Sequence, residues 1–500
     1  MKKIGYLLTI FFICFSTLPA VASDVATVRI TESAPGLSLE KSHQSYISYT
    51  ESKRVDFQGQ SIEMSAAAGR CDSPADANCQ KTGWGVYSVL PACENDKEPY
   101  CIESVSLEGV KGSLLGYTPG VRILRDPKFP MATGASTSIW QIKDKSGVTR
   151  YVAAKVVANS GSIWMNQGEP QFFGFGIELN VVNITDEKYS GPTFAQSVDT
   201  YGLNHLGLTQ KGYQPNCYVE YLGKCAQFAN EPDQELSIQT RISSLPASWF
   251  TGRMSKAAIS IGTNASGQRV LTVTGKSVLV PEMEVEIPKE DLAKDNPFIA
   301  RSPIGDLYSQ TATDALLMFS YLDEKYTAKA KASNSYWSLR STLGAAAGPC
   351  FTKFPGVGGF STTNAMVYHL GNPVVVNGEM IYLIGSTHLD ETGVENRGTY
   401  DLVLRSDIAR CLYGLSAAPL KAEISVISNN GTKQIATTTF GERNGWLHVG
   451  AYNFTFSSPK IKVKLTQTTS KTSITCLKGN VKKVVSGSKP VCPKGYKKAI

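Results

Sequence analysis

Apart from its N-terminus, the chain has no apolar run approaching the ~20 residues a membrane-spanning helix needs, so no span is expected in its body. Charged residues are few, 18% of the chain. Histidine is rarer still, with five in 500 residues. His43, His205, His369, His388 and His448 are scattered rather than clustered. There is no G-x-S-x-G elbow, no H-E-x-x-H pair and no complete phosphate loop, the local signatures of several large enzyme classes. Gly275-Lys276-Ser277 looks like the end of a phosphate loop, but the glycine required five residues earlier is Val270. No two cysteines stand within the two- to four-residue spacing of a zinc site, so no metal centre and no cofactor are expected.

What is present begins with a leader. Lys2 and Lys3 precede an apolar stretch, Ile4 to Phe15, and then Pro19-Ala20-Val21-Ala22. Small residues at Ala20 and Ala22 fit the narrow pocket of a signal peptidase, so cleavage after Ala22 is expected. The competing reading, an uncleaved anchor, needs a longer apolar core. Cys14 lies inside the apolar run without a small residue before it, which does not fit a lipoprotein signal.

Ten cysteines follow the leader: Cys71, Cys79, Cys93, Cys101, Cys217, Cys225, Cys350, Cys411, Cys476 and Cys492. An even count in an exported chain favours a disulfide framework. Three pairs repeat one spacing, with seven residues between the cysteines. Nearest-neighbour pairing is the simplest expectation: Cys71–Cys79, Cys93–Cys101, Cys217–Cys225, Cys350–Cys411 and Cys476–Cys492. Spacing alone leaves Cys79–Cys93 as a rival.

Strand signals dominate the body. Ser138–Lys143 and Val148–Ala158 flank Asp144-Lys145-Ser146-Gly147, and Ala257–Gly262 and Arg269–Thr274 flank Asn264-Ala265-Ser266-Gly267. Both read as hairpins. Val374–Val376 and Glu379–Ile384 flank Asn377-Gly378, the residues a type I′ turn prefers. Glu282–Ile287 alternates apolar and acidic residues, as a half-buried strand does. One helix is expected over Ala315–Tyr326, with Thr313 as cap and Leu316, Leu317, Phe319, Leu322 and Tyr326 as its stripe. A shorter one is expected near Lys289–Lys294. From Ala418 onward, strands at Ala422–Ile427, Lys433–Thr439, Trp446–Ala451 and Lys460–Leu465 alternate with turns, a sandwich pattern in which Trp446 is a core residue.

The segments Ser406–Gly414 (SDIARCLYG), Asn444–Leu465 (NGWLHVGAYNFTFSSPKIKVKL) and Ile474–Lys498 (ITCLKGNVKKVVSGSKPVCPKGYKK) resemble a family of exported actinobacterial proteins. Those proteins end in a lysine-rich module with the patterns Thr-Cys-x-Lys-Gly and Pro-x-Cys-Pro-x-Gly-Tyr. The resemblance covers the C-terminal fifth of the chain, and more loosely the part from Tyr336. It implies an extracytoplasmic setting in a Gram-positive-type organism and supplies no activity or catalytic residue.

The sharpest anomaly is charge. Between Lys460 and Ile500 stand eleven lysines and no acidic residue. Without Lys2 and Lys3, 48 basic residues face 42 acidic ones, a net +6; setting aside the eleven lysines leaves −5. Positive charge is therefore segregated to the end of the chain. Lys460, Lys462 and Lys464 alternate on one strand face, and Lys478, Lys482, Lys483, Lys489, Lys494, Lys497 and Lys498 surround the last cysteine pair. An anionic cell-wall polymer or an acidic lipid surface is the expected partner. Nucleic acid is not, because arginines are absent there and aromatics scarce. A merely solvated face, a solubility tail and an export-related signal remain competing readings.

Two other candidates carry less. Gly385-Ser386-Thr387-His388-Leu389-Asp390-Glu391 gathers hydroxyl, imidazole and carboxylate, but residues so close in sequence seldom converge into a triad. Asp390, Glu391, Glu395 and Asp401 are a weak calcium candidate. Trp164 with Phe172-Phe173-Gly174-Phe175 would stack on sugar rings if exposed and pack the core if buried.

The expected fold is mainly β: several sandwich-like or mixed β domains, one or two short helices and a small disulfide-closed C-terminal β-hairpin module. The segments are a leader over 1–22 and a β-rich region over 23–300, holding two domains and the three close cysteine pairs. Then come a mixed region over 301–417, sandwich-like strands over 418–467 and the lysine-rich module over 468–500. The function expected is a secreted, envelope-associated, non-enzymatic binding or surface-structural protein. The alternative is a secreted hydrolase of glycans or peptides.

Overall fold

The computed structural model describes residues 25–31, 43–57, 60–80, 83–129, 131–161, 171–190, 193–194, 208–209, 217–243, 248–288, 307–308, 330–342, 348–354, 356–369, 371–416, 420–428, 431–456, 460–467, 472–487 and 490–499, with Leu316, Phe319, Leu322 and Lys325. The expected leader over 1–22, the expected helix near Lys289–Lys294 and Trp164 lie outside the described residues.

The protein is mainly β, as its alternating patterns predict. Its backbone is a fifteen-stranded sheet whose central path runs from the Thr437–Arg443 strand to the Gln60–Cys71 strand. The long Gln171–Lys188 strand pairs with Thr149–Gly161 on one side and with Ser338–Thr342 and Lys224–Phe228 on the other. Most pairs are antiparallel; Ser248–Arg253 runs parallel to Val357–Thr363.

Each face of this sheet has its own partner. One face packs on a five-stranded sheet built from Tyr100–Leu107, Val110–Lys111, Glu235–Ile242, Ser255–Thr263 and Arg269–Lys276. Their shared core holds Phe175, Ile177, Leu179, Phe250, Trp337, Phe360, Val403 and Trp446. The opposite face packs on a second five-stranded sheet that contains Glu379–Gly385, Lys460–Gln467 and Leu420–Ile427. That core holds Trp249, Tyr382, Tyr400, Leu402, Leu404, Leu447, Val449, Ile461, Val463 and Leu465. Period-two alternation explains the division. Trp249 and Phe250 enter different cores, as do Leu402 and Val403, and Trp446 and Leu447. Trp446 is thus a core residue, and so is Phe175, 5% exposed.

The hairpins form at the expected turns. Asn377 and Gly378 have φ of 51° and 75°, and Asn444 and Gly445 have 52° and 78°. Asp144 Oδ1 accepts hydrogen bonds from the backbone N of Ser146 and Val148, both at 2.9 Å, and closes its own turn. One strand differs from expectation. Lys433 makes only an isolated bridge to Ile427, and the regular strand starts at Thr437. The backbone of Gln434 is engaged elsewhere: its N–H donates to the Val426 carbonyl at 2.8 Å, while its side-chain oxygen accepts from Thr455 N at 3.0 Å and its amide donates to Ser428 Oγ at 2.7 Å.

Helical structure is sparse. Leu316, Phe319 and Leu322 are helical and buried while Lys325 is exposed, which fits the expected stripe over Ala315–Tyr326. Helices Pro349–Lys353 and Ser406–Tyr413 are joined by Cys350–Cys411, with Cα atoms 5.7 Å apart. All five cysteine pairs are nearest-neighbour disulfides.

Two expected boundaries are crossed by paired strands. Val278–Pro288 pairs with Ala330–Tyr336 across the 300/301 boundary. Glu379–Gly385 pairs with Lys460–Gln467 across the 417/418 boundary. Residues 420–467 do contribute to two facing sheets, as a sandwich requires, but both sheets include earlier strands.

Candidate functional site

The basic module is a three-stranded sheet of Thr472–Lys478, Val481–Gly487 and Lys497–Lys498. Gly479, at φ 58°, makes the hairpin turn that its neighbours' side chains would resist. Cys476 is fully buried and bonded to Cys492, with Cα atoms 5.6 Å apart. It is the only buried side chain among the described residues of the module. The bridge is therefore the principal tie in a unit with little apolar burial. Lys478, Lys482, Lys483, Lys494, Lys497 and Lys498 are all exposed. Lys489 lies outside the described residues.

Lys460, Lys462 and Lys464 lie on the outer face of the preceding sheet, while Ile461, Val463 and Leu465 fill the core beneath. The expected alternation holds, but this row is partly neutralised. Lys462 Nζ is 3.2 Å from Glu379 Oε2, and Lys464 stands opposite Glu423 in the sheet register. The stronger concentration of unneutralised charge is thus in the hairpin, where the sequence holds no acid.

The Ser386/His388/Asp390 segment does not assemble a triad. Ser386 Oγ is buried and makes no hydrogen bond. His388 Nδ1 bonds the Phe456 carbonyl at 2.8 Å, and its Nε2 is 3.8 Å from Glu395. Asp390 Oδ1 accepts from Thr392 N, Thr392 Oγ1 and Val394 N, each at 2.8 Å, and so closes its own turn. A serine nucleophile needs a hydrogen-bonded base held by a third group, and this geometry supplies neither contact. The acids proposed for calcium are likewise dispersed: Glu395 pairs with Arg397 at 2.8 Å, and Asp401 is buried. Among the described residues no group of three or more metal-ligating side chains converges.

Two polar clusters escaped the sequence reading. Lys155 Nζ and Glu178 Oε2 are 2.7 Å apart and nearly buried. Tyr218 OH and Asn180 Nδ2 each donate to Glu178 Oε1 at 3.2 Å. Burial alone would raise the Glu178 carboxyl; Lys155, then Arg340, outweigh it and hold the group below the ordinary carboxylate range. His43 packs edge-on against Tyr218 at 5.0 Å. Burial, with Lys155 nearby, lowers His43 to about 3, so it is neutral at physiological pH. This network braces the sheet face on which the Cys217–Tyr221 strand folds back.

The second cluster centres on Asp401. Its carboxylate accepts from Tyr452 OH at 2.5 Å and from Lys256 N at 3.0 Å. Lys256 has φ of 53° and lies at a register shift between Ser255 and Ala258. Asp401 thus pins the irregular start of one sheet to the other. Burial lifts its carboxyl to about 7 against the lowering effect of these bonds. The signal that would have found both clusters is a lone charge inside an apolar strand run, as in TYDLVL around Asp401.

No protein-family description, curated protein or solved structure matches the chain. The five disulfides fit an oxidising, extracellular environment. Among the described residues no helix is long and apolar enough to cross a membrane.

Proposed function

We propose that this is an exported, envelope-associated, non-enzymatic protein whose β body serves binding or surface structure and whose C-terminal basic module attaches it to anionic envelope material. The observation that carries the reading is charge segregation on a closed scaffold. Eleven lysines and no acid occupy Lys460–Ile500, and Cys476–Cys492 holds six exposed lysines in one small module. Next to an anionic surface each lysine contributes ~1 kcal/mol within a Debye length. That length is ~8 Å at physiological salt and ~3 Å at 1 M, so attachment is reversible and salt-sensitive. The disulfide set and the resemblance of the C-terminal segments to exported proteins support the same compartment. Export proceeds with cleavage after Ala22.

Fractionation of the producing cell tests this. The intact protein should sediment with the envelope, start at Ser23 and be released by salt at about 1 M. A chain ending at Gln467, which keeps the whole Lys460–Gln467 strand, should appear in the medium. Retention of the shortened chain, or indifference of the intact one to salt, would sink attachment by this module.

A further inference from the structure

We infer that the open face of the C-terminal hairpin docks on an acidic lipid bilayer, pressing Leu477 and Val484 into the interface while Lys482 and Lys497 reach the headgroup phosphates. This rests on the attachment reading above and names the material.

The strand register defines the two faces. Cys476 pairs with Lys483 and Lys498, and Leu477 pairs with Lys482 and Lys497. Since neighbouring residues point to opposite sides, Cys476, Lys483 and Lys498 share one face. The segment carrying Cys492 crosses that face at Cys476, to which it is bonded and which it helps to bury. The other face carries Thr475, Leu477, Lys482, Val484 and Lys497. It is uncovered: Leu477 is 40% and Val484 60% exposed. Thr475 stands opposite Val484, so Leu477 and Val484 are diagonal neighbours, and a lysine flanks Leu477 on each side. Val481, paired with Lys478, belongs to the Cys476 face and adds nothing to this one.

Isolated exposed apolar residues are ordinary. Here the only charged residues on their small sheet are lysines. A soluble anionic polymer answers the lysines but offers no apolar phase to Leu477 and Val484. A bilayer interface answers both, because lysine stems lie along the apolar boundary while their ammonium groups extend to the phosphates. The absence of any acid between Lys460 and Ile500 removes charge repulsion from such a surface.

The test is co-sedimentation of the full exported chain with vesicles of equal parts phosphatidylglycerol and phosphatidylcholine, and with phosphatidylcholine alone. Binding should require phosphatidylglycerol. The double variant Leu477→Thr with Val484→Thr keeps strand-forming side chains and every lysine. It should bind the mixed vesicles at least about tenfold more weakly and bind polyphosphate as the parent does. Mass analysis without reduction confirms that Cys476–Cys492 has formed in the variant. Unchanged vesicle binding by this variant overturns the apolar contact. A parent chain held on envelopes and released by salt, yet indifferent to the mixed vesicles, overturns the lipid and leaves a polymer as the anchor. A parent chain never held on envelopes defeats the underlying attachment reading instead.

Discussion

Asp401 shows how one residue couples the layers of the protein to pH. Its carboxyl is raised by burial to about 7. The folded protein therefore binds a proton that the unfolded chain, with an ordinary carboxylate, has already released between about pH 4 and 7. Through that window this group makes stability fall as pH rises, by up to about 1.4 kcal/mol per pH unit. Asp401→Asn cannot ionise. Its amide oxygen can accept from Lys256 N while its NH2 donates to the Tyr452 oxygen, so the local bonds survive. Denaturant unfolding between pH 4 and 7.5 should show Asp401→Asn gaining on the parent as pH rises; parallel profiles would remove Asp401 as the source. Glu178 has the opposite sign, because Lys155 and Arg340 hold its carboxyl down against burial. Its contribution is present above the ordinary carboxylate range and lost only in acid. Neither charge announces its role in sequence: Glu178 meets Lys155 only through the register of two paired strands, and both acids take a tyrosine from further along the chain. Tyr452 is 51 positions from Asp401, and Tyr218 is 40 from Glu178.

At the scale of elements, what was legible was what is local. Asn377-Gly378 and Asn444-Gly445 carry the positive φ that a tight hairpin demands, and each makes the turn it signals. The cysteine pairs that close short loops also found their nearest partners. The strand expected from Lys433 begins only at Thr437 because the backbone at Lys433 and Gln434 turns instead to Ile427 and Val426, which no period-two pattern encodes. The C-terminal hairpin is the element most dependent on a covalent tie. Cys476 is the only buried side chain among its described residues, and closing a loop of this length contributes ~3 kcal/mol in the chain-entropy picture. Replacing Cys476 and Cys492 together by serine should unfold the module and leave the body intact. Hydrogen exchange should lose protection across Ile474–Val485 while the Trp446–Thr455 strand keeps its own. Persisting protection in the hairpin would show that burial, not the bridge, holds it.

For the whole molecule, the decisive feature is that one sheet serves two cores. Phe250 and Val403 face one core while their neighbours Trp249 and Leu402 face the other. The sequence suggested a seam near residue 300, where Pro, Asp and Ser accumulate between strands. Composition marks a long connection but says nothing of which strands pair across it. Ser248–Arg253, before that seam, lies between Ser338–Thr342 and Val357–Thr363, both after it. Val278–Pro288 likewise pairs with Ala330–Tyr336. Cutting the chain there would leave Trp249 and Phe250 on an edge with neither hydrogen-bonding neighbour, and exposed edges of this kind associate or aggregate. The pieces 23–300 and 301–500, produced separately, should therefore be insoluble or lack cooperative unfolding, whereas co-expression should recover a complex. The intact body should unfold in a single calorimetric transition, because neither core survives loss of the sheet they share. Two well-separated transitions, or a soluble 23–300 piece with native-like tryptophan fluorescence, would mean that the seam near 300 is a true domain boundary and that the shared sheet is dispensable to each half.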